Sequence, residues 1–341
     1  MIDRRTVVFT ATIYTAIFIT GFVAAEAYLR LIGASSFTRT SPGEYRNVPE
    51  AAWWAQPDAY LGWTGVRNGP DTNAQGFRDD KDYSDVALDG SVQRVMILGD
   101  SFMYGAGASR EESPPHVLNE RLRGSHQVFN VAVPGWGIDQ MYLAYRQYKD
   151  IIKPHVVILA FIDDDVSRVL QAYREDDGMN KPSFKLHDGE LRLRTAMDAT
   201  SPLLNRMMKH SCLLSLMVHE TYLSLEARPI VRAIFSKIAQ ESHEEGQRFV
   251  VLRIPLREQS SLSGRIVWHL RGWRTAIGDV GAEYLDPLGE IRRIQNWATD
   301  FYLEDGHLSA AGNRQLASFI YSHVFQDTTP ARHGGRLSGS R

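Results

Sequence analysis

Arg94-Val-Met-Ile-Leu-Gly99 decides the fold class, because this short apolar run ends at a glycine just before a polar turn. A continuous apolar run without polar alternation is typical of a strand that is buried on both faces of a parallel sheet. Similar runs follow at Val128-Phe-Asn-Val-Ala-Val133 and His155-Val-Val-Ile-Leu-Ala-Phe161, and another is expected at Arg248 to Pro255. These runs predict a sheet that is covered on both sides.

Helical patterns separate the predicted strands. One helix is predicted at Gln140 to Ile152, a second at Ile230 to His243, and a closing helix from about Ala310 to Phe325. Alternating strands and helices indicate βαβ units, so we predict an α/β fold, a three-layer α/β/α sandwich with a mostly parallel sheet. This domain should occupy residues 32–327, and the Gly, Ser, Arg and Pro composition of residues 328–341 predicts a disordered tail.

The alternation of strands and helices is interrupted at about residues 166–229, which we interpret as an insertion. Within it, Phe184 to Leu193 predicts a hairpin that turns at Asp188-Gly189. Leu203 to Leu225 predicts an apolar helix.

The N-terminal segment predicts a membrane anchor. Val7 to Ala25 contains no charged residue and approaches the ~20 residues that span a bilayer as a helix. Arg4 and Arg5 precede this run and favour a cytoplasmic N-terminus. We therefore predict that residues 1–31 form a single-pass anchor in the cell inner membrane, with the domain on the extracytoplasmic (periplasmic) side. A cleaved signal peptide is the alternative, because Ala25-Glu26-Ala27 has the small-x-small form of a cleavage site.

Composition excludes several classes of function. The 38 basic and 40 acidic residues are spread along the chain, without a basic block that would neutralise a row of phosphates, so nucleic acid is not an expected partner. The single cysteine, Cys212, cannot form an intramolecular disulfide. No metal-ligand spacing and no Gly-x-Gly-x-x-Gly pattern is present in the sequence, so neither a metal nor a cofactor is implied.

Polar residues and glycines follow three of the predicted strands. In open α/β sheets, ligands bind beyond the carboxyl ends of the strands, so these positions are candidate site residues. They are Gly99-Asp100-Ser101-Phe102, Pro134-Gly135-Trp136-Gly137 and Asp163-Asp164-Asp165. The first would expose a serine hydroxyl at the sheet edge, and the second would leave backbone N–H groups free of bulky side chains.

A histidine that could activate this serine lies far downstream. In Leu303-Glu-Asp-Gly-His-Leu, Asp305 precedes His307 by two residues, just ahead of the closing helix. A serine hydroxyl is a poor nucleophile unless an imidazole takes its proton, and a carboxylate best orients that imidazole. We predict Ser101 as nucleophile, His307 as base and Asp305 as the orienting acid, with Glu304 as the competing acid.

From about Asp58 to Phe325 the chain resembles the SGNH, or GDSL-type, hydrolase superfamily. Gly99-Asp100-Ser101 matches the family's nucleophile motif, and Asn130-Val-Ala-Val-Pro-Gly135 matches the motif whose glycine donates an N–H to the oxyanion. The resemblance implies an oxyanion hole formed by Ser101, Gly135 and the residue at position 164. The family usually has asparagine there, whereas this chain has Asp164, which would repel an oxyanion unless burial beside its acidic neighbours kept it protonated or it pointed elsewhere.

Two upstream motifs also resemble members of this superfamily. Asp58-Ala-Tyr-Leu-Gly-Trp63 and Asn73-Ala-Gln-Gly-Phe-Arg78 resemble short motifs that often precede the nucleophile. We assign them no catalytic role, because Phe77 could fill the core and Arg78 could pair with a carboxylate.

The Asp-Gly-His form of the last motif resembles membrane-anchored bacterial members linked to exopolysaccharide O-acetylation. The resemblance implies an acylated carbohydrate as substrate, with water or a sugar hydroxyl accepting the acyl group from Ser101. A dedicated polysaccharide O-acetyltransferase is one alternative. A non-catalytic polysaccharide-binding or assembly component is another alternative. In that case four tryptophans would stack on sugars, unless they pack in the core: Trp53, Trp54, Trp63 and Trp136.

Overall fold

A computed structural model describes residues 3–31, 54–85, 91–171, 173–174, 179–194, 202–260 and 280–326. The strands are β1 (Ala55–Asp58), β2 (Gly62–Gly65), β3 (Gln93–Gly99), β4 (His126–Ala132), β5 (Val156–Phe161), β6 (Tyr173–Arg174), β7 (Met179–Asn180), β8 (Phe184–His187), β9 (Glu190–Leu193), β10 (Arg248–Arg253) and β11 (Glu283–Leu285). The helices are α1 (Arg4–Leu31), α2 (Ser101–Tyr104), α3 (Pro114–Arg121), α4 (Ile138–Ile152), α5 (Asp163–Arg168), α6 (Pro202–His210), α7 (Cys212–Tyr222), α8 (Arg228–Glu244), α9 (Leu288–Ile291), α10 (Trp297–Asp300) and α11 (Ala310–Ile320).

The central sheet has five strands in the order β11-β10-β5-β3-β4, and every neighbouring pair is parallel. The predicted α/β fold is confirmed, and each of the four predicted apolar runs forms a strand of this sheet. Sequence reasoning missed the fifth strand, β11. It contains only three residues, all half-buried, and such a short edge strand carries no continuous apolar run.

Alternate side chains of the central strand β3 point to opposite faces, as the pleat of a strand requires. Met96 and Leu98 belong to a core that includes α4 and α8, whereas Val95 and Ile97 belong to a second core that includes α3 and α11. Both cores are buried, so the sheet is the middle of three layers. The candidate site residues follow β3, β4 and β5, at the edge where these three strands end.

The insertion differs in part from its prediction. β8 and β9 pair as the expected hairpin, and Asp188 and Gly189 both have positive φ, 51° and 79°. The single helix predicted at 203–225 is instead broken into α6 and α7 at Ser211, because the Ser211 hydroxyl accepts the backbone N–H of Leu214 at 3.1 Å and begins a new helix. The predicted tail, 328–341, lies outside the described residues.

α1 is the one helix in the described part of the chain that is long and apolar enough to span a membrane. None of its residues is buried against the rest of the protein. Such a helix at the N-terminus meets the physical requirement of a membrane span, and a signal sequence meets the same requirement.

Candidate active site

Ser101 lies in a tight turn between β3 and α2. Asp100 caps α2, since its carboxylate accepts the backbone N–H of Phe102 at 2.9 Å. Gly99 is required here because a Cβ at this position would lie 2.6 Å from the Cβ of Met103. The helix then ends at Gly105, whose φ of 80° favours glycine. The turn fixes Ser101, which is only 8% exposed, at the carboxyl edge of the sheet.

The structure brings Ser101, His307 and Asp305 together, although 206 positions separate the serine from the histidine. Ser101 Oγ is 3.0 Å from His307 Nε2, and His307 Nδ1 is 3.0 Å from Asp305 Oδ2. The backbone N–H of His307 also donates to Asp305 Oδ1 at 3.1 Å. These hydrogen bonds from the His307 side chain and backbone lower the pKa of Asp305, which keeps this carboxylate ionised.

The histidine loop is positioned by short-range backbone bonds. The N–H of Leu303 donates to the carbonyl of His307 at 2.8 Å, and Gly306 makes the intervening turn with a φ of 89°. Ser309 then caps α11 through the N–H of Gly312. Both acids in the loop are exposed, and Asp305 is the one that is hydrogen-bonded to the imidazole. The arrangement suits a serine nucleophile with an oriented general base.

Gly135 lies in the turn after β4, with a φ of 77°. Two tryptophans hold this turn reciprocally: the indole of Trp63 donates to the carbonyl of Pro134, and the indole of Trp136 donates to the carbonyl of Trp63, both at 3.0 Å. The Gln140 side chain also donates to the carbonyl of Leu61 at 2.8 Å. The Asp58-to-Trp63 motif therefore shapes the turn that presents Gly135.

Trp63 and Trp136 are both fully buried, so the hypothesis that their rings stack on sugars is wrong. Their indole N–H groups donate to the backbone carbonyls of Pro134 and Trp63, and their rings fill the core. Trp54 packs against the same core and is half-buried, while Trp53 lies outside the described residues.

The acidic cluster after β5 separates into three environments. Asp163 pairs with the buried guanidinium of Arg253 at 2.9 Å. Asp165 is fully buried, and this desolvation, reinforced by the nearby Asp100, raises its pKa well above the usual range. Asp164 is exposed. The sequence left open whether burial keeps Asp164 protonated. In the structure it is Asp165 that is buried, because α5 turns the two side chains in different directions.

Arg168 is the site residue that sequence reasoning missed. Its guanidinium donates to Asp100 at 3.3 Å, to the carbonyl of Trp136 at 3.1 Å and to Asp165. One cation thus ties together the serine turn, the Gly135 turn and α5. The only local signal was its position three residues after Asp165, a spacing that places both on one side of a helix.

The second upstream motif supports the far end of the serine helix. Arg78 is buried and donates to the carbonyls of Gly105 at 2.7 Å and Ala108 at 2.8 Å, and it pairs with Asp71 at 3.3 Å. Phe77 is fully buried in the core. Both residues take the packing and pairing roles expected from sequence, and Arg78 additionally fixes the chain that follows Ser101.

Asn130 connects this motif to β4. Its backbone N–H donates to Asp79 at 3.1 Å, and its side-chain amide donates to the carbonyl of Arg78 at 3.1 Å. Burial raises the pKa of Asp79, and the nearby ammonium of Lys81 partly offsets this rise.

Within the described residues no group of His, Cys, Asp and Glu side chains could hold a metal ion.

Comparison with known families identifies this arrangement. A family model described as GDSL-like Lipase/Acylhydrolase matches residues 95–320, which includes Ser101, Gly135, Asp164, Asp305 and His307. The chain belongs to this family. It is accordingly an SGNH-type carboxylic ester hydrolase, an esterase or acylhydrolase.

Similar solved structures are distant from this GDSL-family chain. TesA is 14% identical with a TM-score of 0.42, over 67% of this chain and 96% of TesA. The lipase/acylhydrolase from Enterococcus faecalis is 14% identical with a TM-score of 0.38, over 67% of this chain and 93% of that one. The acetyl xylan esterase AlAXEase is 13% identical with a TM-score of 0.41, over 68% of this chain and 99% of that one. A search of curated proteins finds no match.

Proposed function

We propose that this protein is a membrane-anchored, extracytoplasmic serine esterase that acts on O-acyl groups, principally acetyl, of a cell-surface polysaccharide. The hydrogen-bonded series from Asp305 through His307 to Ser101 carries the catalytic part of the proposal. His307 takes the Ser101 proton as the hydroxyl oxygen attacks the ester carbon. His307 then gives this proton to the departing sugar oxygen, which leaves an acyl-enzyme. Water completes the hydrolysis.

The proposed oxyanion hole consists of the backbone N–H groups of Ser101 and Gly135. Donors aimed at the developing charge lower the barrier, and loss of one good donor typically costs ~10²–10³ in kcat. Asp164 occupies the position where the superfamily usually supplies an asparagine donor. Because the Asp164 side chain is exposed, we infer that it turns away from the oxyanion, so the two backbone groups stabilise the charge.

Contacts between α1 and the domain support an uncleaved anchor over a signal peptide. Glu26 accepts the backbone N–H groups of Cys212 at 3.0 Å and Leu213 at 2.9 Å, at the start of α7. Backbone N–H groups in the first turn of a helix are satisfied by caps, and Glu26 supplies such a cap here. Cleavage at Ala25-Glu26-Ala27 would remove the carboxylate that caps α7.

The polysaccharide substrate rests on the resemblance to membrane-anchored members linked to exopolysaccharide O-acetylation, together with this anchor. A binding component without catalysis is less well supported, because Trp63 and Trp136 are buried and the serine and histidine are hydrogen-bonded. An O-acetyltransferase would share every step up to the acyl-enzyme and would differ only in the acceptor.

The first test measures release of 4-nitrophenol from 4-nitrophenyl acetate by the full chain in detergent micelles, with Ser101→Ala and His307→Ala as matched variants. We expect both variants to lose turnover while circular dichroism shows an unchanged fold. Turnover by Ser101→Ala equal to that of the parent would refute the serine mechanism. Adding an unacetylated oligosaccharide then separates the two acceptors, since a transferase forms acetylated sugar in place of free acetate.

Location is tested separately, on cells that express the full chain. We expect the protein to resist carbonate extraction from membranes and to be digested by protease added to spheroplasts. Release by carbonate would contradict the anchor. Protection from protease would contradict the extracytoplasmic orientation.

A further inference from the structure

The insertion presents an exposed apolar surface next to α1. Four apolar side chains on the consecutive helices α6 and α7 are between 43% and 67% exposed within the described part of the chain: Leu203, Met207, Leu216 and Met217. We call the apolar surface of this pair of helices the hairpin face, which is separate from the β8–β9 hairpin. Large apolar side chains grouped in this way usually mark a surface that contacts another protein or a membrane. The position of the hairpin face relative to α1 indicates which of the two, a protein or a membrane, it contacts.

The α6 part of the hairpin face is continuous with the side of α1. Leu203, Met207 and Leu214 line an open groove of about 570 Å³ together with Phe22 of α1. Phe22 lies within the uncharged run that would cross the bilayer, and 36% of its surface is exposed. Acyl chains that surround α1 at this level would therefore also contact α6.

The depth of this contact follows from helix geometry. Glu26 is the first charged residue after the apolar run, and it fixes the start of α7 by capping Cys212 and Leu213. Phe22 precedes Glu26 by one helical turn, which is roughly 6 Å along the axis toward the membrane interior at 1.5 Å per residue. Side chains beside Phe22 thus lie below the level of Glu26. This distance is within the ~5–10 Å to which interfacial helices are buried.

Charge at the edge of the groove also suits a lipid surface. Arg206 lines the groove and is exposed, and Arg30 is exposed at the end of α1, where it donates to the carbonyl of His210 at 2.7 Å. Arginines at the boundary between headgroups and acyl chains can contact phosphates while apolar neighbours enter the hydrocarbon.

We propose that the hairpin face inserts into the extracytoplasmic membrane interface beside α1, with the acyl chains of the bilayer as its occupant. The proposal rests on the proposed membrane anchoring. α1 and the hairpin then attach the enzyme at two adjacent places, so the domain cannot rotate freely about α1. The catalytic domain is then held in a restricted orientation relative to the membrane.

The test uses the full chain in nanodiscs of phosphatidylcholine and phosphatidylglycerol, with Cys212→Ser as background. Single spin labels are attached at Met207→Cys or Met217→Cys. Ile151→Cys is the matched control, because this exposed apolar residue lies at the end of α4, and Phe18→Cys reports on α1 itself. Esterase activity of each variant verifies folding. Collisions of the label with oxygen and with a water-soluble nickel complex are then compared.

We expect the oxygen-to-nickel collision ratio to be several-fold higher at Met207 and Met217 than at Ile151. A hydrocarbon signal at Phe18 with water-like signals at Met207 and Met217 would overturn the hairpin proposal and leave the anchor intact. A water-like signal at Phe18 would instead contradict the anchor. Spin–spin broadening between Met207 labels, with low collision rates for both reagents, would show that a second copy occupies the groove and would also overturn the proposal.

Discussion

Asp305→Asn removes the charge that faces the imidazolium formed during catalysis, and the structure sets the size of the loss. At the observed 3.0 Å between Nδ1 and Oδ2, two unit charges attract by about 1.4 kcal/mol in water and about 5.5 kcal/mol at an effective dielectric constant of 20. The Asp305 side chain is 61% exposed, so the value should lie near the aqueous limit. Because each 1.36 kcal/mol is a factor of ten in rate, we expect kcat to fall by roughly 10–10²-fold. A buried serine-protease triad loses about 10⁴-fold on the same substitution.

The assay is turnover of 4-nitrophenyl acetate at saturating substrate, with Glu304→Gln as the matched control in the same loop. We expect Glu304→Gln to retain the parent kcat, because the hydrogen bond to the imidazole comes from Asp305. The reverse result, with Glu304→Gln impaired and Asp305→Asn unaffected, would refute the assignment of the orienting acid. A loss near 10⁴-fold for Asp305→Asn would refute the argument from exposure.

Four further outcomes are expected. Asp164→Asn should preserve or raise kcat by restoring the usual amide donor, and a large loss would show that the carboxylate itself is needed. Arg168→Gln should lower the free energy of unfolding by about 3–5 kcal/mol, because it leaves buried carboxylates without their cation. Urea titration measures this change, and an unchanged midpoint would contradict the role of Arg168 in holding the two turns together. The pKa of Asp165 is raised in the folded state, so its contribution to stability should fall as pH rises from the ordinary aspartate range toward that raised value. Asp165→Asn should therefore flatten the decline of the urea midpoint with pH. Parallel curves of midpoint against pH for the parent and the variant would contradict this role of Asp165. Trp63→Phe removes the donor to Pro134 and should lower kcat more than KM rises, whereas a change confined to KM would indicate that the turn does not position the oxyanion donor.

The central strands could be predicted because their signal is local. A strand buried on both faces needs apolar side chains at every position, and each of β3, β4, β5 and β10 meets this requirement within a few residues. The edge strand β11 has no such requirement, and its three half-buried residues gave no pattern. The break between α6 and α7 was missed because an apolar run does not show that the Ser211 hydroxyl accepts the N–H of Leu214 and begins a new helix.

The candidate catalytic residues could be nominated from sequence because serine chemistry restricts the side chains that can serve. A serine at a strand end, a distant histidine and a nearby acid were sufficient to nominate Ser101, His307 and Asp305. Burial was not predictable in the same way. Asp164 and Asp165 are adjacent and identical in chemistry, yet one is exposed and the other is buried with a raised pKa.

By itself, the sequence determined the parallel sheet, the nucleophile motif and its histidine, since apolar runs and motif spacing depend on neighbours along the chain. Only the tertiary structure decided which acid orients His307, where Trp63 and Trp136 donate, and that Arg168 joins the serine turn to the Gly135 turn. The contacts of Trp63, Trp136 and Arg168 connect segments far apart in sequence. Their energies depend on burial and on angles that arise only when the layers pack, so no local pattern encodes them.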